Sequence, residues 1–381
     1  MSSGNKILLT GATGYIGGTV LDHLMRSEAP SIKGLTFDLT VRSQYAVDRL
    51  REAYGSHVNP ILWEGFSDTA AVSDLAANYD IIINTGTALI PSGGKALVNG
   101  LARRVKPGHP VPWMLHVSGC SNLADLPLTR TAHPERKLDD AEDKAVLEYL
   151  RSEEEHTQYP QRTTEVGVLT TAAKTGVQAV SVNSPCIIGA GTGLFKQESF
   201  LIYIIMQYVL RHGYGFKLNE TANFDWVHVE DIADIYVLLL RTILEREDRG
   251  VGYIPSGENG MMSSGVQNVL LSDIMKLCLD TLFDAGLLPR ADTPKEKEIR
   301  LVPLQELAEE TLWGAVDMAE RSWAGHKTMK ATKARKLLGW NPSRLEEAWR
   351  HEFVYVLDRL REGKEGYVAE IPIAKSYETQ N

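Results

Sequence analysis

The stretch Leu8-Leu9-Thr10-Gly11-Ala12-Thr13-Gly14-Tyr15-Ile16-Gly17 sets a short apolar strand against three glycines and the first turn of an amphipathic helix. Gly11 permits the tight turn, Gly14 lets a ligand's phosphates approach the backbone, and Gly17 lets the helix pack close to the strand it follows. Free N–H groups and the positive end of the helix then face an anion. A dinucleotide pyrophosphate is the ligand this arrangement suits, with Thr13, Tyr15 and Ile16 beside the glycines.

Working outward, the first 120 residues alternate strand-like and helix-like patterns, as a parallel sheet with crossover helices requires. Strands are expected at residues 6–9, 35–41, 60–63, 80–84 and 113–117, and helices at 16–25, 46–54 and 69–77. From Asn122 to Gln158 the composition turns charged, including Asp139-Asp140-Ala141-Glu142-Asp143 and Glu153-Glu154-Glu155. Like-charge clusters face solvent, so this segment reads as a surface helix and loop, with a flap over a cleft as the alternative. A helix at 163–174, a strand at 177–182, a glycine-rich loop at 189–193, a helix at 200–211 and a short strand at 252–255 are expected beyond it, with a polar tail after Ile373. The fold class is α/β, a doubly wound parallel sheet with a smaller discontinuous C-terminal lobe. Residues 1–185 and 222–256 are assigned to the dinucleotide-binding core, and 186–221 and 257–381 to the substrate lobe.

The chain has 381 residues, 43% of them apolar and 23% charged, enough for a sizeable core. Forty basic against 49 acidic side chains give a net charge of -9, without the basic surplus that phosphate-backbone binding needs. Nucleic acid is therefore not an expected partner. No apolar run approaches the roughly 20 residues of a membrane helix, and the N-terminus lacks the pattern of a signal peptide. A cytoplasmic protein is expected. The three cysteines, Cys120, Cys186 and Cys278, are widely spaced and follow no metal-binding pattern. They read as reduced thiols, and no metal is expected.

Thr10-Gly11-x-x-Gly14-x-x-Gly17 at the N-terminus resembles the opening of the extended or atypical branch of the short-chain dehydrogenase/reductase superfamily, related to the NAD(P)-dependent epimerase/dehydratases. The resemblance continues in Thr85-Gly86-Thr87 after a strand, in Leu115-His116-Val117-Ser118-Gly119, and in Pro185-x-x-x-Gly189-x-Gly191. It extends to Asp225-Trp226-Val227-His228-Val229-Glu230-Asp231 and Lys333-Ala334-Arg335-Lys336-Leu337-Leu338-Gly339-Trp340-Asn341-Pro342. It implies a Rossmann core and a small-molecule substrate, and makes a homodimer possible. It also implies that Thr85, Gly86, Thr87 and Pro185 lie along the cofactor.

Arg42-Ser43, following Leu39-Thr40-Val41, suits the 2′-phosphate of NADP, because an arginine beside a hydroxyl is a fitting phosphate clamp. Asp38 lies about 20 residues beyond Gly17, the spacing of a ribose-binding acid. NADP is the expected cofactor, with NAD open.

The family's reductases and epimerases use a Tyr with a Lys four residues later. None of the fourteen tyrosines here has a lysine at that spacing. Counting back from Pro185 puts the lysine position at Gln161 or Arg162. Tyr159 stands close to the usual tyrosine, as a proton donor or as a residue that merely caps the helix entrance. Arg162 could hold a ribose hydroxyl but cannot shuttle protons, since its pKa exceeds about 12. Ser118 is the inherited strand-end hydroxyl, with Cys120 and Ser121 next in line if the register shifts. His116 and His228 read as core histidines, and Asp231 as a helix cap. The expected activity is that of an NADP-dependent oxidoreductase or epimerase-like enzyme with an altered proton relay. Non-redox isomerase, dehydratase or cyclase chemistry, or a silent NADP-sensing role, are the alternatives.

Overall fold

The computed structural model describes residues 5–86, 88–246 and 254–363. The first strand, β1 (Ile7–Thr10), lies inside a seven-stranded parallel sheet, between the central strand β4 (Ile81–Asn84) on one side and β2 (Phe37–Val41) with β3 (Val58–Leu62) on the other. Beyond β4 come β5 (Trp113–Gly119), Gln178–Ser184 and Met261–Ser263. The near-continuous apolar runs in β1 and β4 follow from helices covering both faces. Ile7, Leu9, Ile81 and Ile83 belong to the cluster under α1 (Tyr15–Arg26) and α2 (Gln44–Tyr54). Leu8 and Ile82 belong to the opposite one, under α3 (Thr69–Ala76) and α4 (Pro91–Ala102).

Helix α4 has no counterpart in the sequence reading, because Gly93, Gly94 and Gly100 depress helix propensity. Packing accounts for them. A Cβ on Gly93 would meet Phe66 at 2.7 Å, and one on Gly94 would meet Thr164 and Val168 at 3.0 Å. The charged segment holds α5 (Asp143–His156), whose Val146, Leu147 and Leu150 are buried in the α4-side cluster. It is therefore an anchored helix with a charged outer side, and not a flap. Next comes α6 (Pro160–Thr175), which packs along α4 and β5.

The C-terminal lobe has its own apolar cluster, built on Leu201–His212, Leu271–Asp284, Val316–Trp323 and Glu346–Arg361. The division at residue 257 needs correcting. Met261–Ser263 completes the main sheet, and Ala331, Ala334 and Trp340 are buried in the core cluster. Conversely Asn223–His228 pairs outside the main sheet, with Gln267–Leu270, His326–Lys327 and Cys186–Ile188. The 252–255 strand and the tail after Ile373 fall wholly or partly outside the described residues. Among the described residues, no helix is long and apolar enough to cross a membrane, and no group of three or more His, Cys, Asp or Glu side chains could hold a metal.

The helix Val229–Leu244 packs on α1 through a charge cluster. His23 bonds Asp234 at 2.9 Å and Glu230 at 3.3 Å, and Arg344 bonds Asp231 at 2.8 Å and Glu230 at 2.9 Å. Asp231 thus clamps the C-terminal turn, while His228 caps the helix by accepting from the Glu230 N–H. Burial alone would lower the His23 pKa, but the hydrogen bonds to Asp234 and Glu230 outweigh it and raise the pKa from 6.5 to about 9. The charged imidazolium therefore stabilises the fold fully below pH 6.5, and that contribution disappears as pH rises through about 9. In thermal unfolding, His23→Gln is expected to lower Tm near pH 6.5 and to converge with the wild type above pH 9. Parallel Tm profiles would contradict the assignment.

Candidate functional site

The β1–α1 turn is built for close approach. Gly11 has φ +81, and a Cβ there would meet the Thr85 carbonyl carbon and the Gly86 nitrogen at 2.8 Å. A Cβ on Gly17 would collide with the Gly11 oxygen and Thr85 Oγ1. The Gly14 N–H donates to the Gly11 carbonyl at 2.9 Å. Gly14 then starts α1 with no side-chain cap, and the first turn holds no acidic residue. Uncapped N–H groups at a positive helix end suit a pyrophosphate.

Around this turn, Thr13 and Ile16 are half-buried. The Tyr15 hydroxyl donates to the Gly189 carbonyl at 2.5 Å, pinning the segment after Pro185 to α1. The Thr192 N–H donates to Thr19 Oγ1 at 3.3 Å, so the same loop lies across the helix. Thr85 Oγ1 donates to the Thr10 carbonyl at 2.7 Å and Gly86 N–H to Asn84 Oδ1 at 3.3 Å, fixing the β4 end beside the turn. Thr87 lies outside the described residues.

At the end of β2, Arg42 and Ser43 are both exposed, and the Ser43 hydroxyl caps α2 by accepting from the Ala46 N–H at 3.2 Å. Asp38 sits lower on the strand, opposite Leu8. It accepts from the Tyr79 hydroxyl at 2.8 Å and from Asn59 at 3.2 Å. A carboxylate so occupied, and distant from the strand end, is not placed as the ribose acid that its spacing suggested.

The proton-donor candidates separate sharply. Ser118 is buried beneath α6, accepting from Asn122 at 2.9 Å. It belongs to the shell around the buried Glu165, which also includes Ser181 at 2.7 Å, Asn122 at 2.6 Å and Asn183 at 3.3 Å. Burial raises the Glu165 pKa. Ser118 is thus spent on a structural polar cluster. Ser121, three residues on, is half-buried and accepts from the Tyr159 hydroxyl at 3.0 Å. The Ser121 hydroxyl itself donates to Gln161 Oε1. Burial pushes the Tyr159 phenol above its ordinary pKa of 10.0, with Ser121 and Arg321 pulling the other way. At neutral pH Tyr159 therefore holds its proton.

Arg162 requires a correction. Its guanidinium is fully buried at the end of α5, donating to Glu154 at 3.0 Å, the Glu153 carbonyl at 3.0 Å and the Thr157 carbonyl. These α5 groups occupy the donors expected for a ribose. Of the two residues at the lysine position, Gln161 is the one that reaches the strand end, and it is neutral. Geometry thus brings together Tyr159, Ser121 and Gln161, and leaves Ser118 and Arg162 in the framework.

The sequence model described as "NAD dependent epimerase/dehydratase family" matches residues 143–252. A dTDP-glucose 4,6-dehydratase from Streptomyces venezuelae, solved with NAD and DAU bound, superimposes with a TM-score of 0.56 at 12% identity, over 94% of this chain and 100% of that one. A UDP-glucose 4-epimerase from Thermotoga maritima, solved with UDP-glucose, gives 0.54 at 14% identity, over 94% and 100%. The family model accounts for that segment, and the two solved structures share the fold of the chain. At such identities the structural likeness is one of fold. Oxidase ucsJ of an Acremonium species is 27% identical over 247 residues, 62% of this chain, and the chain spans 66% of that relative's length.

Of the residues gathered at Tyr159, Gln161 was left undecided by the sequence and Arg321 escaped it. Gln161 was reachable through the count from Pro185, which left it tied with Arg162; only the direction of each side chain from α6 separates them. Arg321 carried no signal. It comes from the C-terminal lobe, 162 positions beyond the residue it covers, with its guanidinium carbon 4.6 Å from the Tyr159 ring centroid.

Proposed function

We propose that this chain is an NADP-dependent oxidoreductase or epimerase-like enzyme acting on a small organic carbonyl or alcohol. Its proton relay would run through Tyr159 and Ser121, with neutral Gln161 at the usual lysine position. The cofactor reading is carried by the β2 end, where Arg42 is exposed while the competing acid, Asp38, is bonded to Tyr79 and Asn59. The family match and a relative described as an oxidase support redox chemistry. The dinucleotide supplies hydride chemistry when bound.

The chain's own residues do the rest. The uncapped α1 end and the Gly11–Gly17 turn would hold the pyrophosphate, and Arg42 with the Ser43 hydroxyl would hold the 2′-phosphate. The raised phenol pKa makes Tyr159 a proton donor at neutral pH, and the Ser121 hydroxyl orients it. Gln161 accepts from Ser121 and fixes that hydroxyl, but it exchanges no proton. The wild type is expected to bind NADPH more tightly than NADH in a fluorescence titration. Arg42→Ala should narrow the gap by about 1.5–3 kcal/mol, the worth of charge-assisted contacts. Equal affinity for the two nucleotides in the wild type would overturn the NADP assignment.

A further inference from the structure

Arg321 is fully buried on the helix Val316–Trp323, in the C-terminal lobe. Its Nε donates to Asp317 at 2.9 Å and its Nη1 to the Ala124 carbonyl at 3.2 Å. Among the described residues its buried Nη2 has no hydrogen-bond acceptor. The guanidinium carbon lies over the ring of Tyr159, itself 2% exposed, 4.6 Å from the centroid. A buried charge donor left without an oxygen is costly, and a π face compensates it only in part.

The neighbouring residue holds this helix in place. The buried Glu320 carboxylate accepts from the Leu128 N–H at 2.7 Å, the Thr129 N–H at 2.9 Å and the Thr129 hydroxyl at 2.8 Å. The lobe is thereby fastened to the segment that follows β5, and the guanidinium is held above the phenol.

We propose that Arg321 is the positioning residue that supplies, from the C-terminal lobe, the positive charge that neutral Gln161 does not, favouring the ionised form of Tyr159. The inference rests on the reading of Tyr159 as proton donor. When the Ser121 hydroxyl gives its proton to a substrate oxyanion and Tyr159 Oη gives its own to Ser121, two O–H bonds break, two form, and the electron pair left behind stays on the phenolate. A cation over a neutral ring then faces an anion, so its attraction is greater after transfer than before. That difference is what lowers a barrier.

The other charged or titratable groups around the phenol do not duplicate this effect. Asp317, which accepts from Arg321, opposes it, but more weakly than the guanidinium acts on the phenol. The Cys120 thiol is neutral at physiological pH, since burial raises its pKa to about 11. On α5, Glu154 accepts from the Tyr159 N–H at 3.3 Å and from Arg162 at 3.0 Å, so that pair is mutually compensated.

The test places a ring-fluorinated tyrosine at position 159 of the full chain and follows its fluorine NMR shift against pH, with neither nucleotide nor substrate present. Arg321→Gln is expected to raise the ionisation midpoint by about one unit or more, as loss of an opposite charge at this range does. If Arg321→Gln fails to fold, citrulline at position 321, neutral and of the same shape as arginine, makes the same comparison. An unchanged midpoint in a folded variant overturns the proposal, because a purely structural arginine would not move it. Absence of NADPH binding with the midpoint shift intact would instead overturn the proposed function alone.

Discussion

Gly14→Val is expected to abolish NADPH binding while leaving the fold intact. Gly14 has φ -87 and ψ 173, values open to any residue, and only the Gly11 oxygen, at 3.2 Å, lies within contact of an added Cβ. The added Cβ asks the Gly11 carbonyl to give by a few tenths of an ångström, and the branched side chain stands where the pyrophosphate must approach the first turn of α1. At least a 100-fold loss of affinity, about 2.7 kcal/mol, is expected, read by fluorescence titration beside an unchanged circular dichroism spectrum. Gly17→Val serves as the contrasting case. There the Cβ collides with the Gly11 oxygen and Thr85 Oγ1, so the turn itself must move and unfolding should begin at lower temperature. If Gly14→Val keeps wild-type affinity, the glycine turn is a structural feature and not a binding site.

The contrast between the two glycines shows what local sequence could convey. Strand, turn and helix are adjacent in the chain, so the spacing of Gly11, Gly14 and Gly17 nearly determines their geometry, and β1 to β5 follow from short apolar runs at regular intervals. Helix α4 was hidden because its glycines answer to Phe66, Thr164 and Val168, residues outside the helix, and intrinsic propensity then points the wrong way. The acidic run did read as a surface helix, but its charge concealed that Val146, Leu147 and Leu150 anchor α5 in the core.

The site divides along the same line. Asp38 had the right spacing, yet β2 register sets it opposite Leu8 and within reach of Tyr79, facts that no count along the chain contains. Ser118 and Ser121 were both legible as hydroxyls at a strand end. Choosing between them required the path of the backbone after Gly119, where the strand gives way to a short helical turn at Cys120–Leu123.

That choice leads to the second large effect, since Tyr159→Phe is expected to slow turnover of a carbonyl substrate by about 10²–10⁴-fold, the share of one general acid. The NADPH dissociation constant should not change, because the variant loses one hydroxyl whose partner is Ser121. Oxidation of NADPH followed by absorbance gives the rate. Ser121→Ala should fall in the same direction, through loss of the group that orients the phenol. Ser118→Ala should instead cost roughly 1–3 kcal/mol of stability, by leaving a polar group in the Glu165 shell unpaired, with little effect on rate at temperatures where it is folded. The pH profile carries an independent sign. A phenol held above 10.0 by burial keeps its proton throughout the neutral range, so the reductive rate should lack an acid limb from this residue and decline only at alkaline pH as the donor is lost. Full activity in Tyr159→Phe would remove the phenol from the mechanism and leave the Ser121 hydroxyl as the donor to test.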